Sequence, residues 1–538
     1  MVSWIVEKVR DFKGRFARGG WAVTIGNTRP SVLIFCADEM RADHLGCAGN
    51  AAIRTPNLDR LAARGAVFRG ACCNNPICMP ARATMFTGLL PRDHGLRVNG
   101  QSLRTDLPLL PQVLADAGYR THAAGKLHLT AWVPMVEPPR PQQFPECLAW
   151  WRDGLIESFP VPYYAFQSVD FVGGHTSYAC GDYMRWLKAQ GGDAALLGPK
   201  AARGPAALAP DCYRMAMPEE LHYNRYIADS AIRVLRETPA QEPFFIWCSF
   251  PDPHCPVAPP APYCDWHRAD DVPPPARRDG ELDDLPDFYR KVMRGEMRPN
   301  GILNPHLTER QWREMIALTF GMVSHVDAEV GRVLRALEEA GRADDTIVIF
   351  TSDHGDMMGD HGLIWKAFYT FRGCVRIPLI IAAPDMPAGR ISDAAACQLD
   401  LMPTVLDLCG VAMPGSDWAA CRTPFERGSV RPLAAYPGRS LRPMLAGEGG
   451  SVRDAVVVEN DDPCTGLRVR CLVTADHRIT IYPGTGEGEL FDLREDPWEL
   501  YNLWYKPKHA GLRAQLTAAL LDHYSLETPL HPIPPWNA

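Results

Sequence analysis

The chain has 538 residues, of which 46% are hydrophobic and 22% charged, and a formal net charge of −7 at pH 7. That length exceeds one ordinary core, so two domains are expected, and the composition excludes a disordered chain. The acidic balance argues against a nucleic-acid binder but is compatible with a local cationic pocket for a small anion.

Many of the seventeen cysteines sit inside apolar runs, among them Cys36 after Val32-Leu33-Ile34-Phe35 and Cys248 after Phe245-Ile246-Trp247. They read as small buried hydrophobes in a reducing compartment rather than a disulfide framework. No run reaches membrane-spanning length, and the N-terminus lacks the apolar core of a signal peptide. Cytoplasm is the expected location. Residues 4–18 alternate apolar and basic side chains in a helical pattern. A docked or oligomer-contacting extension over 1–30 is expected ahead of a membrane-surface helix.

The first strand predicted is Ser31–Ala37, a continuous apolar run ending at Asp38-Glu39. Similar runs follow at Phe244–Phe250, Ile347–Phe350 and Pro378–Ala382. The clearest helical pattern spans roughly Ser324 to Ala340, with Gly341 as its stop. Apolar strands alternating with amphipathic helices indicate a large, mostly parallel sheet sandwiched by helices, an α/β fold. The Pro-rich stretch from Pro251 to Pro275 reads as a surface loop bordering the site, and the insertion from about Trp150 to Pro218 carries no legible motif. A helix around Leu401–Gly410 closes this pattern. Short strands near Ala455–Val458, Leu467–Thr474 and Ile479–Tyr482, then a helix near Ala510–Tyr524, predict a small antiparallel-sheet domain. The division expected is an extension over 1–30, a catalytic domain over 31–447 and a small α+β domain over 448–538.

Ligands bind beyond the carboxyl ends of strands in open α/β sheets. Three predicted strands run into Asp38-Glu39, into Pro251-Asp252-Pro253-His254 and into Thr351-Ser352-Asp353-His354. Asp38, Glu39, Asp353 and His354 together form an oxygen-rich set with one nitrogen, which suits a hard divalent cation: Ca²⁺, Mg²⁺ or Mn²⁺. Any single acidic pair reads equally well as a helix cap or a solvated loop.

The run Asn74-Asn75-Pro76-Ile77-Cys78-Met79-Pro80-Ala81-Arg82 contains Cys-x-Pro-x-Arg, followed by Thr87-Gly88. It resembles the signature of the sulfatase family. Asp38-Glu39-Met40-Arg41-Ala42-Asp43, Thr55-Pro56-Asn57-Leu58-Asp59-Arg60-Leu61 and Gly125-Lys126-Leu127-His128 resemble further family segments. So do Pro403-Thr404, Gly438-Arg439-Ser440-Leu441 and the stretch from Glu489 to Glu499. Glu39 departs from the usual Asp or Gln.

The resemblance implies an alkaline phosphatase-like fold over about 31–505. It also implies that a formylglycine-generating maturation enzyme oxidises Cys78 to an aldehyde, 3-oxoalanine, whose hydrate is the nucleophile. One hydroxyl would attack sulfur and the other would expel sulfate. Arg82 and Lys126 would hold the nucleophile and the sulfate, and His128 would take the second hydroxyl proton. His254 and Lys366 would act at the leaving oxygen, and Asn99 would contact the substrate. Asp38, Glu39, Cys78, Asp353 and His354 would surround one divalent cation, Ca²⁺ before Mn²⁺ or Mg²⁺. The implied substrate is an aryl, alkyl or sugar sulfate monoester. His354 and Asn99 are also shared with phosphonate monoester hydrolases, so phosphonate monoesters or phosphate diesters are the alternative substrates. A non-catalytic anion binder with Cys78 left as a thiol is the reading from another class.

Overall fold

The computed structural model describes residues 29–134, 139–414 and 436–526. The amphipathic pattern at 4–18 lies outside them. The main sheet contains β1 (Ser31–Ala37), β2 (Ala66–Cys72), β3 (Arg120–Gly125), β4 (Ser168–Gly173), β5 (Cys180–Gly181), β6 (Phe244–Phe250), β7 (Thr346–Ser352), β8 (Leu379–Ala382) and β9 (Arg390–Cys397). Its spatial order is β5-β4-β3-β6-β1-β7-β8-β2-β9. From β4 to β7 in that order every neighbouring pair is parallel. β8 runs antiparallel to both β7 and β2, and β5 is antiparallel to β4.

Every residue of β1, β6 and β7 is buried. Successive side chains of a strand point to opposite faces, so the continuous apolar runs divide between two cores. Val32, Ile34, Phe245, Trp247, Ile347 and Ile349 belong to one. Leu33, Phe35, Phe244, Ile246, Val348 and Phe350 belong to the other. The helices Cys78–Thr87 and Leu401–Leu408 cover the first face, and Pro56–Arg64, Tyr223–Glu237 and Glu309–Glu339 cover the second.

The last of these helices begins fifteen residues before the expected 324, at a Thr308–Gln311 capping box. Met315 to Asp327 are all buried, so no polar face marks the turns that join its polar start to the predicted part. Gly341 has φ 68° just past the helix end, as its stop role requires. The Pro251–Pro275 stretch is not simply a surface loop. Pro251, Asp252, Pro253, Val257 and Ala258 are buried, and His254 and Cys255 between them line the site described below.

A second sheet, separate and antiparallel, consists of β10 (Ala455–Asp461), β11 (Arg468–Thr474), β12 (His477–Ile481) and β13 (Gly488–Asp492). Val456, Val458, Val469 and Cys471 face the main domain's core. Val457, Leu472, Ile479 and Leu490 face Leu516 and Leu520 of the helix Ala510–Leu526. Buried Arg478 ties the sheet to the main domain, donating to Glu489 at 2.7 Å and to Thr370 at 2.7 Å, with Glu499 as a further partner. Among the described residues no helix is long and apolar enough to cross a membrane.

Candidate active site

Four neighbouring parallel strands, β3, β6, β1 and β7, end on the same edge of the sheet. Beyond β1 come Asp38 and Glu39, beyond β7 Asp353 and His354, beyond β3 Lys126 and His128, and beyond β6 His254. The β1 and β7 ends are laced together. The Glu39 amide donates to Asp353 Oδ1 at 3.0 Å, and the Met40 amide to Ser352 Oγ at 2.9 Å. Arg41 then reaches the carbonyls of Asp356 and Met357, each at 3.0 Å, fixing the loop after His354.

Cys78 opens the helix Cys78–Thr87, whose N-terminal end carries the positive pole of its dipole. Arg82 is one turn later on the same face and is completely buried. Its guanidinium donates to Asp353 Oδ2 at 2.8 Å, Ser249 Oγ at 2.9 Å and the Lys126 carbonyl at 3.0 Å. It therefore joins Cys78 to three strand ends. The Cys78 sulfur is 3.1 Å from His354 Nε2. Burial pushes the Cys78 thiol up from its ordinary value, so it is poorly suited to act as a thiolate.

Asp38, Cys78, Asp353 and His354 each offer a ligand atom within 4.8 Å of the others. His354 Nδ1 faces the Gly355 carbonyl at 2.9 Å. A carbonyl only accepts, so Nδ1 carries the proton and Nε2 keeps its lone pair toward the group. Asp38 Oδ1 is buried without a partner. Burial opposes ionisation of Asp38, but Lys126, His254 and Arg82 hold its carboxyl well below the usual range. Two carboxylates, one of them with an orphaned buried oxygen, and one imidazole lone pair fit a divalent cation.

Glu39 falls outside this group and clusters instead with His254 and Cys255. Its Oε2 accepts from Lys366 at 2.8 Å, while Oε1 has no partner. Burial lifts its carboxyl to about 8, against the pull of Lys366.

Cys78, Lys126, His128, His175, His254 and Lys366 open onto one cavity of about 410 Å³. Asn99 lines it too, with its Oδ1 accepting from the Met79 amide at 3.1 Å. Lys126 is held by Asp38 and by His175 Nε2 at 3.3 Å. Lys366 donates to His254 Nε2 at 2.6 Å. The proton between the two therefore sits on Lys366, the residue that the sequence pairs with His254 at the leaving oxygen. His128 has φ 60°. Burial, with Lys126 and Arg82, drives its imidazole well below its ordinary value, so it stays neutral.

Two residues were not legible as part of the site. Glu146 accepts from the amides of His128, Leu129 and Thr130, at 2.5, 2.7 and 3.0 Å, and so fixes the turn that presents His128. His175 lies in the insertion that carries no motif. Strand β4, which delivers it, contains Ser168 and Asp170 and is not a continuous apolar run.

The sequence model of the family described as Sulfatase matches residues 30–411. The chain belongs to the sulfatase family. A second model, described as N-sulphoglucosamine sulphohydrolase, C-terminal, matches residues 359–525. This sulfatase is 28% identical over 487 residues to an arylsulfatase of Clostridium perfringens, covering 88% of this chain and 90% of that protein. It is 28% identical over 518 residues to a multifunctional alkaline phosphatase superfamily protein of Trinickia caryophylli, covering 90% and 93%. Its structure is similar to the phosphonate monoester hydrolase of Agrobacterium radiobacter, with a TM-score of 0.74 and 25% identity over 94% of this chain and 100% of the other. The fold is thus alkaline phosphatase-like, and the chain is a sulfatase-type hydrolase.

Proposed function

We propose that this enzyme hydrolyses sulfate monoesters of aryl, alkyl or sugar alcohols, with a nucleophile made from Cys78 by a formylglycine-generating enzyme and with one divalent cation. The observation that carries the reading is the placement of Cys78 at a helix N-terminus within 4.8 Å of Asp38, Asp353 and His354 ligand atoms. A buried thiol with a raised pKa has little use there as a thiol. Oxidised to 3-oxoalanine and hydrated, the same carbon would offer one hydroxyl for attack and a second for expulsion of sulfate.

Asp38, Asp353 and His354 would hold the cation together with the Cys78-derived oxygen, and oxygen-rich coordination favours Ca²⁺, with Mn²⁺ or Mg²⁺ as alternatives. When bound, the cation would neutralise the anionic ester and favour charge developing on oxygen. Arg82 orients the nucleophile through its helix and through Asp353. Lys126 binds a sulfate oxygen. Lys366, seated by Glu39 and His254, donates a proton or hydrogen bond to the departing alcohol. Neutral His128 takes the proton of the second hydroxyl. Asn99, whose Oδ1 is already used, offers its Nδ2 to the substrate. Glu39 acts here through Lys366 rather than as a ligand.

The catalytic part is assigned to 31–447 and the small C-terminal unit to 448–538, with 1–30 as an extension, a candidate contact between copies in a homo-oligomer. The buried thiols of Cys36 and Cys248 support a reducing compartment, the cytoplasm. A second reading, hydrolysis of phosphonate monoesters or phosphate diesters, is supported by the His354–Cys78 contact and Asn99 together with the likeness to the Agrobacterium enzyme. These esters also carry one negative charge. A substrate panel of aryl, alkyl and sugar sulfates beside phosphonate monoesters and phosphate diesters tests both, using enzyme co-expressed with the maturation enzyme. Higher kcat/KM on a sulfate supports the first reading. Preference for a phosphonate or diester supports the second.

A further inference from the structure

His175 and His254 lie face to face, with ring centroids 3.8 Å apart and planes at 11°. They arrive from different strands, β4 and β6. Gly174 makes the approach of the first one possible. It has φ 70°, and a Cβ there would come within 2.1 Å of the Tyr178 carbonyl oxygen.

The two rings are wired alike. His175 Nδ1 faces the Pro251 carbonyl at 3.2 Å, and His254 Nδ1 faces the Cys255 carbonyl at 2.7 Å. Carbonyls only accept, so each Nδ1 carries its proton. His175 Nε2 faces the Lys126 ammonium at 3.3 Å, and His254 Nε2 faces the Lys366 ammonium at 2.6 Å. Ammonium groups only donate, so each Nε2 presents a lone pair to its lysine, and His254 Nε2 also lies 3.1 Å from Glu39 Oε2. The result is a pair of Lys–His couples stacked back to back, anchored on the same Pro251–Cys255 turn.

Each ammonium also meets one carboxyl oxygen, that of Asp38 for Lys126 and that of Glu39 for Lys366. An ammonium has three N–H bonds. Two fixed acceptors, one carboxyl oxygen and one imidazole, leave a single N–H to point into the cavity. A lysine otherwise keeps a flexible four-carbon stem and three equivalent donors. Fixing that last donor before substrate arrives is the kind of preorganisation that lowers a barrier.

We infer that His175 is a positioning residue for the hydrolysis. Its lone pair aims Lys126, and its ring face seats His254 and, through His254, Lys366. This rests on the roles given above to Lys126 and Lys366. It makes two separable demands on one side chain, an acceptor atom and a flat face.

Two variants separate them. His175→Phe keeps a flat ring and loses the acceptor. His175→Gln keeps an acceptor oxygen and loses the ring. The experiment measures kcat/KM for matured enzyme on phenyl sulfates of graded leaving-group pKa, with metal content and Tm measured in parallel. His175→Phe is expected to lose about 10–100-fold equally on every ester, because Lys126 acts on the sulfate and not on the alcohol. His175→Gln is expected to show a steeper dependence on leaving-group pKa, because Lys366 is no longer held by a seated His254. Unchanged rates in both variants would overturn the inference. So would equal losses with the wild-type slope in both, which a purely structural role would produce, or loss of metal in both. Failure of the sulfatase reading would show in wild type alone, as absent turnover of sulfates. The same variants would then be compared on a graded series of aryl phosphonate monoesters.

Discussion

The sulfur of Cys78 lies 3.1 Å from Nε2 of His354, although the two residues are 276 positions apart. One opens a helix and the other follows a central strand, so the fold brings two distant residues into one site. Replacing Cys78 tests that site first. Cys78→Ala is expected to fold, bind metal and lose at least about 10³-fold in kcat. Cys78→Ser is expected to keep only a trace of activity, because it has no second hydroxyl on the same carbon. Wild-type-like turnover by Cys78→Ala would reject the nucleophile.

The predicted ligand set divides in the structure, and metal analysis can follow the division. Asp38→Ala and Asp353→Ala are expected to lose the cation and activity together. Glu39→Gln is expected to retain the cation while kcat falls about tenfold above pH 8, where the ionised carboxyl holds Lys366 more firmly than an amide does. Removal of the cation by a chelator should abolish turnover reversibly. Full occupancy in Asp38→Ala, or an empty site in Glu39→Gln, would reverse the assignment.

At the leaving-group end the expected acid is Lys366. Lys366→Ala should lose far more rate on an alkyl sulfate than on nitrophenyl sulfate, because nitrophenolate departs without a proton. His254→Ala should show the same trend, more weakly. His128→Ala should instead slow both substrates alike, with a burst of nitrophenol before the steady state. Equal losses for Lys366→Ala on both substrates would remove it from the acid role.

Glu146 offers a test of positioning at a distance from the reacting atoms. Glu146→Gln puts a donor in place of one accepting oxygen, facing either the His128 amide or the Leu129 and Thr130 amides. Loss of about 10-fold in kcat is expected with metal content unchanged, as the His128 turn relaxes. Unchanged kcat would show that the turn holds without the carboxylate.

Asp93 provides a stability test with a defined sign. Burial lifts its carboxyl to about 7, with Glu459 adding to the rise and Arg92 opposing it. Its Oδ2 is buried without a hydrogen-bond partner. The folded protein therefore keeps this proton over a range where the unfolded chain has lost it. Stability contributed here falls as pH rises from the ordinary carboxylate value of 3.8 toward 7. Asp93→Asn should stabilise the protein by roughly 1–3 kcal/mol above that range and leave it unchanged at acidic pH. Denaturant unfolding at several pH values measures this, and a constant difference across pH would refute it.

Much of the fold is legible because the central strands are apolar on both faces. β1 and β6 have the bounds read from the sequence. The antiparallel direction of β8 was not legible, since a fully buried strand looks the same in either sense. The site motifs announce themselves through short fixed spacings, as in Cys78 with Arg82 or Lys126 with His128. His175 and Glu146 have no such neighbour in sequence. Their meaning comes from what the chain brings to them: His254 and Lys126 in one case, three consecutive amides in the other. Glu39 was legible as a site residue, but its partner was not, because Lys366 is 327 residues away.

The account turns on the chemical state of Cys78. The most direct measurement takes preparations with different fractions of Cys78 converted to aldehyde, each fraction read by peptide mass. It then plots kcat on nitrophenyl sulfate against that fraction. A straight line through the origin is predicted. Equal activity in unconverted and converted enzyme would contradict the account.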